Sequence, residues 1–324
     1  MALTYRLHRD EDLPCLQRLW EEETNWGTLT FAERWRRHVK EAPFGGATIV
    51  IATDTDTGQI VGQFEFLPWL VTVNGREVRA FRPGASIVAK AMRFRSPNPF
   101  QHPVAGMYQH ALKALPERGD GLFYTMPDPS WMRFFRMFPM LHCSSFPLWS
   151  LPLPLAAPLP LGEGYTSGPL SVWDQRVDQL WNMQLRFYGC SVVRDSRSLE
   201  WKIGGGDYTV LSIERNGEMV GLVASRQKGA RQWLVCDVLA ADTGDSLRAT
   251  LAAVCNFAHS ENVAAQEKPI CKVAVLVTPI MEPVVRQLGF VRDAYDFPFV
   301  IHILNPSITK EDVAPERWYV SAND

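Results

Sequence analysis

The residues best placed to do chemistry lie between Arg79 and Leu115. An apolar, strand-like run containing Ala85, Ile87, Val88 and Ala89 leads into a polar loop that carries prolines. The loop closes on Gln101-His102-Pro103-Val104-Ala105-Gly106. A helical pattern follows, with Met107, Ala111, Leu112 and Leu115 on one side. Strand, loop with a small residue, then helix N-terminus is a recipe for an anion site. First-turn N–H groups and the positive end of the helix dipole point the same way there. A pyrophosphate suits such a site, and a thioester could lie at the end of the strand.

Other residues invite a chemical reading, each with a structural alternative. Glu65 stands among Phe64, Phe66 and Leu67, where a carboxylate is unusual; strand alternation also allows it an outward face. Asp128 opens a helical pattern, which equally describes an N-cap. Tyr124 is either an acid or a core tyrosine. His102 is either a phosphate contact or an exposed loop histidine. His142-Cys143 are strand neighbours that point to opposite faces, which argues against a nucleophile–base pair. Gly204-Gly205-Gly206 precedes a strand rather than a helix and so lacks the context of a phosphate loop. Asp54 and Asp56 sit in turn chemistry ending at Gly58 and read as backbone requirements rather than a metal pair. No metal site is read.

The totals bound the rest. The chain has 324 residues, 46% of them apolar, and a net charge of -2. That length fits two domains, and the charge leaves no electrostatic footprint for nucleic acid or an anionic membrane. The first residues hold no apolar core of a signal peptide. Leu151 to Leu161 is too short and too rich in proline to span a bilayer. Six cysteines without a C-x-x-C pair fit reduced thiols of a cytoplasmic protein.

The elements around the cluster come in order. Residues 9–22 and Phe31 to Glu41 carry helical spacing. A hairpin runs from Thr48 to Leu67, and Asn74-Gly75 marks another turn. Gly121 to Met126 reads as a buried strand, followed by a helix over Trp131 to Met137. Residues 147–162 are proline-rich and read as part edge strand, part linker. The second half then repeats the first: a helix over Val172 to Phe187, a hairpin around Asn216-Gly217, a strand, a long helix, a strand and a helix ending near Gly289-Phe290. Gln59-Ile-Val-Gly62 answers to Glu218-Met-Val-Gly221. Such self-similarity points to an internal duplication. The domains read as 1–150, a linker or edge strand over 151–162, 163–305, and a tail over 306–324.

The 101–106 loop and its flanks resemble the GCN5-related N-acetyltransferases. That family holds the pyrophosphate of acetyl-CoA on a Gln/Arg-x-x-Gly-x-Gly/Ala loop between strand and helix. Gln101 and Gly106 match the first and last positions, and Val104 stands in place of the middle glycine. The tyrosine that serves the family as general acid is absent at its usual place, where Asp128, Phe135 and Phe138 align. The Arg194-Asp195 to Lys202 segment and the closing Arg317-Trp318-Tyr319 resemble tandem members of about 300 residues from bacteria.

The resemblance implies an α/β fold of the α+β type: two tandem units, each a mixed, mostly antiparallel sheet flanked by helices. It implies an N-acyltransferase using acyl-CoA, with acetyl-CoA the first choice, on the amine of a small molecule by direct attack in a ternary complex. Gln101, His102, Val104, Ala105 and Gly106 would hold the cofactor, with backbone groups of Ile87, Val88 and Ala89 on the thioester. Glu65, Tyr124 and Asp128 are the candidate proton carriers, and Trp26 a candidate wall of the acceptor site. Asp242 and Asp245 at the matching loop of the second half would repel a phosphate, so the first half is expected to bind the cofactor. Two rivals remain open: a ligand-binding protein without catalysis, and an aminoacyl-tRNA-dependent transferase, which the near-neutral charge disfavours. The sequence fits a monomer or a homodimer, without nucleic acid or membrane as partner.

Overall fold

The computed structural model describes residues 2–24, 30–93, 98–229, 231–264 and 269–324. Strand β1 (Leu3–Leu7) precedes helix α1 (Leu13–Glu23), whose Leu16, Leu19 and Trp20 are buried. Helix α2 (Phe31–Trp35) begins with Thr30 accepting from the Glu33 N–H. It runs into a π-turn over Arg36–Lys40. The helix expected to Glu41 therefore widens halfway.

Strands β2 (Thr48–Asp54), β3 (Ile60–Val73) and β4 (Arg76–Val88) form a meander. Asn74 and Gly75 close its second hairpin at φ +50° and +76°, the left-handed pair that a tight two-residue turn requires. Helix α3 (Lys90–Arg93) leads toward α4 (Pro103–Ala114). Strand β5 (Leu122–Thr125), α5 (Met132–Phe135) and the long β6 (Leu141–Pro152) complete the first half.

The second half begins with β7 (Tyr165–Pro169), α6 (Gln175–Gln184), β8 (Cys190–Val192) and α7 (Ser196–Ile203). Strands β9 (Thr209–Arg215), β10 (Glu218–Lys228) and β11 (Gln232–Ala240) repeat the meander. Helix α8 (Asp245–Ala264), strand β12 (Lys272–Leu276), α9 (Glu282–Gln287), β13 (Val291–Ile303) and the short β14 (Trp318–Tyr319) follow.

All fourteen strands of the described residues join one sheet, in the order β1-β2-β3-β4-β5-β13-β6-β12-β11-β10-β9-β7, with β8 and β14 beside it. The pairs are mostly antiparallel; β4 with β5, β11 with β12 and β8 with β14 run parallel. The centre of the sheet is an exchange. Within each half, the last strand follows the one before it in the chain through a short helix, β5 to β6 through α5 and β12 to β13 through α9. Yet β5 pairs with β13 from the other half, and β12 pairs with β6. The proline-rich stretch supplies Pro147–Pro152 to β6 in the middle of the sheet, where prolines fall at bulges and strand ends.

The sheet is covered on both faces. One face carries α4 on Phe64, Phe66, Phe81 and Phe123. The other packs Leu67, Trp69, Tyr124 and Phe299 under Trp318 and Val320 of the closing segment. In the second half, α8 lies over Ile213, Val223 and Val273. The fold is thus the expected α/β arrangement of two like units, joined through exchanged strands.

Candidate functional site

Strands β4 and β5 pair only at Ala80↔Leu122 and Phe81↔Phe123. Beyond that point they part. The cause is local: β3 pairs Phe64 with Ser86 but Phe66 with Pro83, so β4 has an extra residue opposite Glu65 and bends there. From Pro83 to Val88 the outer edge of β4 has no strand beside it among the described residues.

The direction of the backbone groups on that edge follows from the ladder. The Ala89 N–H donates to the Val61 carbonyl at 2.9 Å. Direction alternates along an antiparallel strand, so the Ile87 N–H also turns to β3, while those of Ser86 and Val88 turn into the gap. The Val88 carbonyl agrees, since it accepts from Arg93 Nε in the gap at 2.8 Å. Of the three residues expected to present donors, Val88 does so, and Ile87 and Ala89 do not. Ser86 takes their place. Its Oγ is buried and has no hydrogen-bond partner among the described residues. A lone hydroxyl in the run Ala85-Ser86-Ile87-Val88-Ala89 was the available signal.

Two adjoining cavities fill the gap. The outer one, about 690 Å³, runs along Ser86, Ile87 and Val88 and is bounded by Arg93 and His102. The inner one, about 310 Å³, reaches from Asp128 and Phe135 at its mouth to Phe64, Tyr108 and Phe123 at the apex. Ser86, Val104 and Trp131 line both. The combined shape suits a long, thin molecule with a polar end outside and an apolar end inside.

The start of α4 differs from the expected anion cradle. His102 is the N-cap, and its Nδ1 accepts the Val104 N–H at 3.3 Å. The Ala105 and Gly106 N–H groups turn to the His102 carbonyl at 2.9 and 3.4 Å, and Pro103 has no N–H. The first turn therefore offers the dipole end rather than free donors. Burial lowers the His102 imidazole below its ordinary range. Ala105 is fully buried in the core, and Gln101 is exposed on a short 3₁₀ turn outside both linings. Gly106 faces β1: a Cβ there would run into the Tyr5 ring. Its smallness serves helix–strand packing, not a phosphate. Among the described residues, Arg93 brings a guanidinium to the outer cavity, held by Glu23 at 2.7 Å.

Glu65 is buried behind Gly84, so close that a Cβ on Gly84 would meet its carboxyl carbon at 2.7 Å. Its carboxylate accepts from Arg34 Nη2 at 2.9 Å, lies 2.5 Å from His38 Nδ1, and takes the Ala85 N–H at 3.3 Å. Burial alone would raise this acid; the His38 hydrogen bond and the Arg34 guanidinium outweigh it and bring the pKa down to about 2. Arg34 and His38 are brought to one carboxylate from α2 and its π-turn, a feature often found at functional sites. A carboxylate so tied is a weak base. Its direct effect is to hold the β4 bulge that opens the gap.

The other candidates separate. Tyr124 lies on the opposite face of the sheet, 6.4 Å from the Trp318 ring, and burial pushes its hydroxyl well up. It lines neither cavity. Asp128 does line the inner cavity, as the N-cap whose Oδ1 accepts the Ser130 N–H at 2.9 Å. Hydrogen bonding from the Ser130 side chain first, and from its N–H second, lowers the Asp128 acid below the usual carboxylate range. Trp26 falls outside the described residues. Tyr108, not singled out from the sequence, reaches the cavity apex from α4, and its hydroxyl meets His302 Nδ1 at 2.9 Å. Among the described residues no group of three or more His, Cys, Asp or Glu could hold a metal, and no helix is long and apolar enough to cross a membrane.

The second half has the same bulge and a closed gap. Gly221 pairs with Ala240 and Val223 with Val238, as Gly62 pairs with Val88 and Phe64 with Ser86. The two outward N–H groups are taken: Val238 donates to the Tyr319 hydroxyl and Ala240 to Gln184 Oε1, both at 2.9 Å. Buried Arg194 pairs with Asp237 at 2.8 Å alongside. At the start of α8, Asp242 accepts the Gly244 and Ser246 N–H groups at 2.8 and 3.0 Å. A carboxylate and a strap of side chains fill the positions that stand open in the first half.

No protein-family model matches the sequence. No curated protein sequence matches it. Solved structures do. A GCN5-related N-acetyltransferase from Anabaena variabilis ATCC 29413 superposes with a TM-score of 0.67 at 14% identity, over 94% of this chain and 73% of that one. One from Kribbella flavida gives 0.63 at 15%, over 94% and 72%. The N-myristoyltransferase of Saccharomyces cerevisiae with bound myristoyl-CoA gives 0.55 at 10%, over 94% and 79%. At these identities the likeness is one of fold: the chain has the fold of the GCN5-related N-acetyltransferases across nearly its whole length.

Proposed function

We propose that this chain, which carries the fold of the GCN5-related N-acetyltransferases, is an acyl-CoA-dependent N-acyltransferase whose donor lies in the first-half gap. The observation that carries the reading is the outer edge of β4: Ser86 and Val88 turn backbone donors, and Ser86 a hydroxyl without a partner among the described residues, into a cavity shaped for a long ligand. An extended pantetheine-like amide chain can pair with such an edge as a strand would. The acidic nucleotide end then lies outside, near Arg93 and the positive end of α4.

The acceptor is a small-molecule amine attacking within a ternary complex. The new N–C bond forms as the C–S bond breaks, and the thiolate, with a free-thiol pKa of about 8.5, leaves with both electrons. One inward N–H of β4 stabilises the carbonyl oxygen as charge develops on it. Asp128, an exposed carboxylate at the cavity mouth, is the group placed to take the ammonium proton, directly or through water. Glu65 acts by position: it holds Arg34, His38 and the bulge.

A second reading, binding without transfer, is favoured by one observation. Of the titratable groups on the inner cavity, Tyr108 is engaged by His302 and Asp128 stands at the rim. Two measurements separate the readings. A rise of the unfolding midpoint with acetyl-CoA and CoA, but not with ATP, reports binding to the native state. Release of free thiol in the presence of an amine panel reports transfer. Binding without thiol release across the panel supports the second reading; no binding of any acyl-CoA removes both.

A further inference from the structure

The inner cavity is larger than an acetyl group needs. The inference rests on the donor reading above and concerns the same gap. Along β4, the outer cavity lies beside Ser86 to Val88, and the inner one begins at Ser86 and passes Gly84 and Pro83 toward the apex. A thioester whose carbonyl faces the Ser86 N–H therefore sends its CoA arm outward and its acyl chain inward. The space beyond the thioester is walled by Phe64, Tyr108, Phe123, Phe134 and Phe135, with Val104 on the α4 side. Phe64 and Phe123 are buried core residues fixed by the sheet, and Tyr108 is held by His302. The volume is built into the fold and does not depend on one movable side chain.

The size decides the class of chain. A cavity of about 150 Å³ with apolar walls accommodates benzene, a six-carbon ligand. The inner cavity is about 310 Å³, roughly twice that reference. An acetyl methyl would leave most of those walls without contacts, and unfilled apolar space forfeits dispersion contacts. We propose that the donor carries a medium-length acyl group, a saturated chain of about four to eight carbons by that volume comparison, and that the inner cavity is its binding site. The aromatic rims at Trp131 and Phe135 mark the mouth of the gap, while the apex at Phe123, where β4 and β5 last pair, closes the far end and limits the length.

The test is a binding series on the full chain by titration calorimetry, with CoA, acetyl-CoA, hexanoyl-CoA and palmitoyl-CoA. Hexanoyl-CoA should bind at least tenfold tighter than acetyl-CoA, with palmitoyl-CoA weaker than hexanoyl-CoA. In Thr125→Phe, which fills the inner cavity from a residue that does not line the outer one, the preference for hexanoyl over acetyl should fall to within twofold, with CoA still bound. Equal affinity for acetyl- and hexanoyl-CoA in the unaltered chain overturns this inference and leaves the donor reading standing. Failure of CoA and of every acyl-CoA to bind overturns the donor reading itself. Because the unaltered chain decides the question, the outcome stands even where Thr125→Phe does not fold.

Discussion

The Tyr319 hydroxyl accepts the backbone N–H of Val238 at 2.9 Å. Val238 is the register equivalent of Ser86, whose N–H faces an open cavity in the first half. The same edge, with the same bulge, is thus sealed in one unit and open in the other. Tyr319 is fully buried and reaches Asp237 as well, at 3.2 Å. Tyr319→Phe leaves the Val238 N–H with Asp237 Oδ1 alone, at 3.0 Å, and takes the hydroxyl donor from the Val238 carbonyl, at a cost of about 1 kcal/mol. Thermal unfolding should show a lower midpoint, and acyl-CoA affinity should stay within twofold. A matching loss of affinity would mean that the second half takes part in binding.

Glu65 makes the fold acid-sensitive in a defined window. Its folded pKa is about 2, against an ordinary value of 4.5. A depressed acid contributes stability above its unfolded pKa and loses it as pH falls through the folded one. The contribution, about 3 kcal/mol at neutral pH, should disappear between about pH 4.5 and pH 2. Glu65→Gln should flatten that limb of a stability–pH profile. It should also destabilise the chain at pH 7 by about 3 kcal/mol, because the partly buried Arg34 and His38 lose their buried counter-charge. An unchanged acid limb would show that Glu65 titrates normally.

Gly106 and Tyr5 offer a sharper distinction. A cofactor glycine and a packing glycine look alike in a sequence; only the neighbour across the gap differs. Gly106→Ala should cost about 1–3 kcal/mol through overpacking against Tyr5. The dissociation constant for CoA, measured well below the new midpoint, should change less than twofold. A tenfold loss of CoA affinity without loss of stability would return Gly106 to the phosphate.

What the sequence discloses follows from the range of each interaction. The meanders, their Asn74-Gly75 and Asn216-Gly217 turns, the α4 pattern and the repeat of Gly62 at Gly221 are local signals, and the structure has each of them. Glu65 stood out because a carboxylate between phenylalanines needs a reason; its partners Arg34 and His38, about 30 residues upstream, could not be read. The exchange of β6 and β13 joins residues far apart in the chain, and no periodicity encodes it. The closing of the second gap depends on Gln184 and Tyr319, two side chains from distant segments that meet only when the sheet is built.

The exchanged strands make a further demand on folding. Residues 1–155 alone contain β5 but not β13, which covers its edge through Ile301↔Tyr124 and Val300↔Thr125. An exposed apolar edge of that kind invites aggregation. The fragment should show no cooperative unfolding transition. Co-expressed with residues 156–324, it should recover one. A cooperative transition in the isolated fragment would contradict the welded sheet.

The central claim is that an acyl-CoA thioester lies on the open edge of β4 in the first half. Hydrogen exchange of backbone amides, with and without acyl-CoA, tests it at the atoms concerned. Peptides covering Pro83–Ala89 and Thr125–Trp131 should gain protection on binding, with Asp237–Ala240 unchanged because those donors are already engaged. Protection at Asp237–Ala240, or binding without protection at Ser86 and Val88, would contradict the account.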